Sequence, residues 1–294
     1  MPTPRSTHRQ QLAPTRKSVH AAISLLAEPE AHIVQAVREQ LLRWGSGVRP
    51  ELLRAAENGA PVLRVRARAL LRAMEVRGCL QRFAGLELDR GGRRDAGPLL
   101  HGAVMLSQMA RTFAPGAAEL QQWLRGEAEV LRHRIAGRSV PTCARLLGEH
   151  LGGELGCRGG DASCLDYDHV LLDRVLLHRV GIPVSLSLVY LLVARWAGLP
   201  AAGVAMPDHF LVRIHGVRPA LVDPYHGGRT VTKADCVRYL RSNGYDGVNE
   251  HLRDLSDREM LAHYLRSLKR AAAYRGVPDT QRSLDHALAH LEAS

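Results

Sequence analysis

The stretch from Gly181 to Pro200, GIPVSLSLVYLLVARWAGLP, constrains this chain more than any other. Pro183 sits where a helix can begin without losing a hydrogen bond, because the first turn has no acceptor for that amide and the ring pre-sets φ. Apolar residues then run on nearly every side of the helix, through Leu186, Val189, Tyr190, Leu192 and Val193. A helix apolar all round has to be enclosed by other elements. Gly198 ends it and Pro200 prevents its continuation. Two short apolar runs follow, Phe210–Ile214 and Ala220–Val222, separated by His215, Gly216 and Pro219. That pattern predicts an antiparallel hairpin.

If the hairpin folds symmetrically about Gly216, His209 falls directly opposite Asp223, with Cβ atoms about 4.5–5.5 Å apart on one face. A carboxylate at that distance holds an imidazole in one tautomer and favours its protonated form. A buried helix start facing an oriented His–Asp pair is the layout of a nucleophile, a base and the group that orients the base.

The residues Gly181-Ile182-Pro183, Ser185-Leu186, Tyr190, Ala194-Arg195, Gly198-Leu199-Pro200, Gly203-Val204, Pro207, His209-Phe210-Leu211-Val212, Asp223-Pro224 and Gly227-Gly228 together resemble the transglutaminase-like superfamily, and within it the bacterial SirB-one branch. The resemblance implies an α+β, mostly helical protein, with a transglutaminase-like (papain-like) core, a small antiparallel sheet and flanking helical lobes. In catalytic members of such a fold a thiolate lies at the helix N-terminus, where the dipole and a nearby imidazole lower the thiol pKa. Counted back from Gly198, that slot falls on Pro183, and Asp208 stands where the pattern has glycine before the histidine. The resemblance therefore implies a His209–Asp223 pair without the third member.

Two residues are candidate substitutes. Ser187 lies one turn beyond Pro183 on the same helical face, about 6 Å further along; Cys164 lies in a Gly- and Asp-rich loop just upstream. Ser185 faces nearly the opposite way, toward packing or a carbonyl. The expected function is a non-catalytic or degenerate scaffold or regulatory protein. The alternative is an amide-bond hydrolase or acyltransferase with His209 as base, Asp223 orienting it, and Ser187 or Cys164 as nucleophile; N–H groups near 183–185 would bind the oxyanion.

The rest of the chain is read around this core. Residues 1–19 are basic and proline-bearing and are expected to be disordered. Residues 20–90 carry short helical patterns that resemble HEAT-type units. The core is expected at 95–230, with Tyr167, Asp168 and His169 near the cleft mouth and one helix over Val170–His178. In 231–294, Thr232 with Asp235 and Ser256 with Glu259 form helix-start boxes, and the last two helices resemble a tetratricopeptide hairpin. The net charge of +11 comes largely from arginine, with Arg64, Arg68 and Arg72 spaced along one helix face. With only 4% aromatic residues for stacking, and no recognition-helix or zinc-finger signature, nucleic acid is not the expected partner; another protein is. Five cysteines, at 79, 143, 157, 164 and 236, form no CxxC pair, and His209, His215 and His226 lack an evident further ligand. No metal or cofactor is expected. No apolar run reaches the roughly 18 residues that span a bilayer, so no membrane association is expected and a cytoplasmic location is the default.

Overall fold

A computed structural model describes residues 14–88, 92–111, 114–160, 166–246, 248–274, 276 and 278–293. The chain divides into two compact units, Met1–Gly78 and Cys79–Ser294.

The first unit is helical: α1 (Arg16–Leu25), α2 (Ala31–Trp44), α3 (Arg49–Asn58) and α4 (Pro61–Ala84) as far as Gly78. Thr15 caps α1 by accepting from the Ser18 N–H, so residues 16–19 of the basic start are helical rather than disordered. Val19, Ile23, Leu41, Leu52, Ala67 and Leu70 meet in its core. Arg64 and Arg68 are exposed, whereas Arg66 donates to the carbonyls of Leu26 and Glu28 at 2.8 and 2.6 Å.

The second unit begins with α5 (Gly97–Ala110), α6 (Ala117–Ile135) and α7 (Val140–Gly148), which runs into a π-helical stretch, Glu149–Glu154. After β1 (Arg158–Gly159) come α8 (Tyr167–Val170) and α9 (Leu172–His178), split at Leu171 where one helix was expected. Then follow β2 (Val180–Gly181), α10 (Pro183–Trp196), β3 (Ala201–Met206), β4 (His209–Ile214), β5 (Ala220–Asp223) and β6 (Arg229–Val231). The C-terminal helices are α11 (Lys233–Ser242), α12 (Val248–His251), α13 (Asp257–Tyr274) and α14 (Pro278–Ala293). The fold is α+β and mostly helical with a small antiparallel sheet.

Every residue of α10 from Val184 to Arg195 is buried, as its all-round apolar surface demands. Neighbours α6, α9, β3, β4 and α13 enclose it. Every nitrogen of its one buried charge, Arg195, has an acceptor. The guanidinium grips Asp257 through two bonds of 2.7 Å and donates to the carbonyls of Ala201 and Asp95. Pairing the charge with Asp257 and giving each nitrogen an acceptor is what makes a buried cation tolerable there.

The sheet is a four-stranded antiparallel meander in the order β3-β4-β5-β6, where two strands were expected. Its register also differs from the symmetrical fold about Gly216. Val212 pairs with Val222 and Ile214 with Ala220, a slip of two residues. Because side chains alternate with period two, a slip of two leaves every side chain on its expected face. His209 and Asp223 are therefore diagonal rather than directly opposed, on one side of the sheet.

Met206 pairs with His209, so β3 and β4 are joined by the two-residue turn Pro207-Asp208. Asp208 has φ +53°, a left-handed conformation that glycine adopts without strain and other residues do not. This is the physical reason a glycine is favoured before the histidine; aspartate is among the few residues that tolerate the position.

Candidate functional site

A cleft of about 830 Å³ opens at the start of α10. Ile182, Pro183 and Val184 form one wall, the Pro207–Leu211 segment another, and Asp223, Tyr225, His226 and Arg229 a third. Tyr239 and Cys236 of α11 and His263 of α13 complete it.

At its centre His209 Nε2 donates to Asp223 Oδ1 at 3.0 Å, leaving Nδ1 as the ring nitrogen that Asp223 does not engage. The diagonal register works because an imidazole is long enough to reach across to the neighbouring strand. Asp223, 2% exposed, collects further donors. The His226 backbone N–H reaches Oδ1 at 3.2 Å, while Oδ2 accepts from His226 Nδ1 at 2.7 Å and Arg229 Nε at 3.3 Å. Arg229 was not legible as a site residue, and His226 only as one of three histidines close in sequence; the structure brings both to Asp223.

Two pairs of glycines place this carboxylate. The β5–β6 turn presses so closely on the helix behind it that a Cβ on Gly148 would lie 1.9 Å from the Gly228 carbonyl oxygen, and one on Gly152 the same distance from that of Gly227. Gly227 and Gly228 also have φ of +68° and +76°. Gly228 faces both demands at once, since its own Cβ would lie 2.5 Å from Gly148 Cα.

Burial alone would push the Asp223 carboxyl up, but the hydrogen bond and charge of His209, and then those of His226, outweigh it and hold the pKa at about 2. A carboxyl depressed on folding adds stability above its unfolded pKa, and that contribution is lost as pH falls through the folded value. The window is therefore from about pH 4 down to about pH 2, and the size is about 2 kcal/mol. Urea unfolding at stepped pH should show the gap between wild type and Asp223→Asn closing across that window. A gap that stays constant would contradict the assignment.

The remaining expected residues fall in different places. Pro183 lines the cleft. Ser187 does not: it is 0% exposed, absent from the wall, and its Oγ has no partner among the described residues. Ser185 Oγ donates to the Val170 carbonyl at 2.8 Å, a structural bond. Gly181 is buried in β2, and Tyr190 is buried with its phenol pKa pushed up by burial. Pro207 lines the cleft, and its carbonyl accepts from Tyr239 Oη at 3.2 Å. Tyr167, Asp168 and His169 do not form the described wall; Asp168 pairs with Arg174, and the buried Tyr167 donates to the Ala110 carbonyl. Cys164 lies outside the described residues.

Of the other thiols, Cys236 reaches the wall, but burial, and after it the charge of Asp235, raises its pKa. Burial pushes Cys157 up to about 11. Both shifts oppose nucleophilic thiolate formation. His209, Asp223 and His226 bring one donor atom each within 4.8 Å of one another, so Asp223 is the group that stands beside two of the three histidines. His215 instead sits beside Asp254.

A sheet packed on a buried helix whose start faces a His–Asp pair defines a cleft of the transglutaminase type. A model of the transglutaminase-like superfamily matches residues 117–266, more than half of the chain, and the chain belongs to that superfamily. It is 36% identical over 103 residues to a UPF0162 protein of Xylella fastidiosa, covering 34% of this chain and 37% of that one. A UPF0162 protein of Pseudomonas aeruginosa is 34% identical over 123 residues, 39% of this chain and 45% of its own. The human F-box only protein 21 is 36% identical over 84 residues, 24% of this chain and 13% of its own. The chain thus spans little more than a third of the Xylella protein's length. No solved structure matches it. Among the described residues no helix is long and apolar enough to cross a membrane.

Proposed function

We propose that this chain belongs to the SirB-one branch and acts as a non-catalytic scaffold or regulatory protein. Its cleft takes a segment of a protein partner instead of cleaving or transferring an amide. The observation that carries this reading is Pro183. Pro183, which the resemblance sets in the thiol's slot, lines the cleft and carries no nucleophile, while the His209–Asp223 pair in the same cleft is kept. The helices α1–α4, HEAT-like in rhythm, and the α13–α14 pair, resembling a tetratricopeptide hairpin, are the natural sites for further partner contacts. A cytoplasmic protein with these features needs no cofactor for such a role.

A second reading, an amide-bond hydrolase or acyltransferase, is favoured by the His209–Asp223 bond and by the Nδ1 that Asp223 leaves unengaged. Its nucleophile would be Cys164 or Ser187. Both readings meet one experiment, site-resolved labelling of the wild-type chain near neutral pH with iodoacetamide and with a fluorophosphonate. The scaffold reading expects Cys164 to react no faster than Cys79, and Ser187 to stay unlabelled. Rapid labelling at either residue that His209→Ala abolishes would overturn it in favour of the enzyme.

A further inference from the structure

One buried carboxylate in the cleft holds two imidazoles at once. His209 Nε2 lies 3.0 Å from Asp223 Oδ1 and His226 Nδ1 lies 2.7 Å from Oδ2. Two imidazole nitrogens and a carboxylate oxygen are the donor set that borderline divalent metals favour. With bonds of about 2.0–2.2 Å, neighbouring ligand atoms around a tetrahedral ion sit about 3.3–3.6 Å apart. The three donor atoms here lie within 4.8 Å of one another, so modest shifts of the two imidazoles would bring them to that spacing. We propose that His209, Asp223 and His226 form a binding site for a divalent metal of the zinc class, its remaining coordination positions open to the cleft.

The local structure supports that placement. Asp223 closes β5, and His226 follows three residues later in a turn fixed by the Gly227–Gly228 contact with α7 and the π-helical stretch. Tyr225 packs edge-on against both imidazoles, with centroids 6.0 Å from His209 and 5.3 Å from His226, and so limits ring rotation. Three protein ligands beside an open cavity is the arrangement of metal sites that accept a ligand from solution, as opposed to closed structural ones. Proton balance is simple. A neutral His209 carries its proton on Nδ1 once Nε2 binds the ion, and a neutral His226 carries its own on Nε2; an imidazolium would release one proton.

Arg229 is the opposing charge. Its Nε lies 3.3 Å from Asp223 Oδ2, but the side chain is 62% exposed and is free to swing into solvent when a cation enters. Asp208 and Asp235 line the same cleft and offset it at longer range. The inference goes beyond the scaffold reading and does not depend on it, since a metal could fill this site with or without a partner in the cleft.

The test uses the full chain without a histidine tag, stripped with chelator. Co²⁺ is titrated by visible absorption and Zn²⁺ by calorimetry. One equivalent should bind saturably. His226→Ala should weaken binding at least tenfold, Arg229→Ala should tighten it, and His215→Ala should leave it unchanged. His226 is half exposed, so its loss spares the fold, and circular dichroism verifies this. Absence of a saturable one-to-one complex, or an affinity that His226→Ala leaves within about twofold, overturns the proposal. Weaker binding by Arg229→Ala counts against it equally.

Discussion

Pro183→Cys should create a thiol whose alkylation rate inflects near pH 6.5, about two units below the ordinary value near 8.5. The new side chain would sit at the first turn of α10, where the backbone amides carry partial positive charge, and on the same cleft wall system as His209. At pH 6 such a shift raises the thiolate fraction about 80-fold. A more acidic thiol is also a weaker nucleophile, by about tenfold for two units, so the net gain in rate is on the order of tenfold. Adding His209→Ala should return the inflection most of the way toward 8.5. Stopped alkylation with mass-spectrometric readout measures both. An inflection that stays near 8.5 with and without His209 would show that the start of α10 does not face the imidazole. The scaffold reading predicts more than unreactive wild-type protein: the cleft keeps the electrostatics of a nucleophile site and lacks only the sulfur.

Gly148→Ala should cost about 3 kcal/mol or more of unfolding free energy. Its Cβ would lie 1.9 Å from the Gly228 carbonyl oxygen and 2.8 Å from the carbonyl carbon. The obstacle is backbone on an ordered turn, so no side-chain rotation relieves it, unlike most overpacking in cores. Relief requires the β5–β6 turn to move away from α7, and Asp223 and His226 are mounted on that turn. Chemical unfolding measures the first effect. The His209 and His226 imidazole resonances, followed by NMR against pH, measure the second. In contrast, Gly153→Ala should be nearly silent, since nothing lies within 4 Å of its Cβ position. Equal stability of the two variants would refute the contact.

What the sequence revealed followed from signals that are local and redundant. Pro183 and Gly198 bracketed α10, and Gly198 does adopt φ +93°. Thr232 and Asp235 form the reciprocal capping box at α11, and the Glu259 N–H bonds to Ser256 Oγ as its spacing implies. What stayed hidden was weakly patterned or non-local. Ala201–Met206 contains three alanines and a glycine, poor strand formers, and becomes a strand because α10 and β4 flank it. Arg229–Val231 is too short to show alternation. The hairpin register was missed by two because the link after Ile214 does not fold symmetrically about Gly216, although face parity survived and with it the His209–Asp223 pair. His226 carries no periodic signal; only the tight turn after Asp223 brings it inward.

The two outer strands of the sheet decide how a partner can approach. Along the free side of β3, the Leu255 amide already donates to the Gly203 carbonyl at 2.8 Å, and Met260 Sδ comes within 2.9 Å of where a Gly203 Cβ would be. At the opposite margin β6 offers three residues, with Arg229 and Thr230 in solvent. Among the described residues, a three-residue β6 and a β3 border already engaged at Gly203 leave little edge for a further strand to join. A partner chain docking on this core would then be read more by side chains than by added backbone hydrogen bonds.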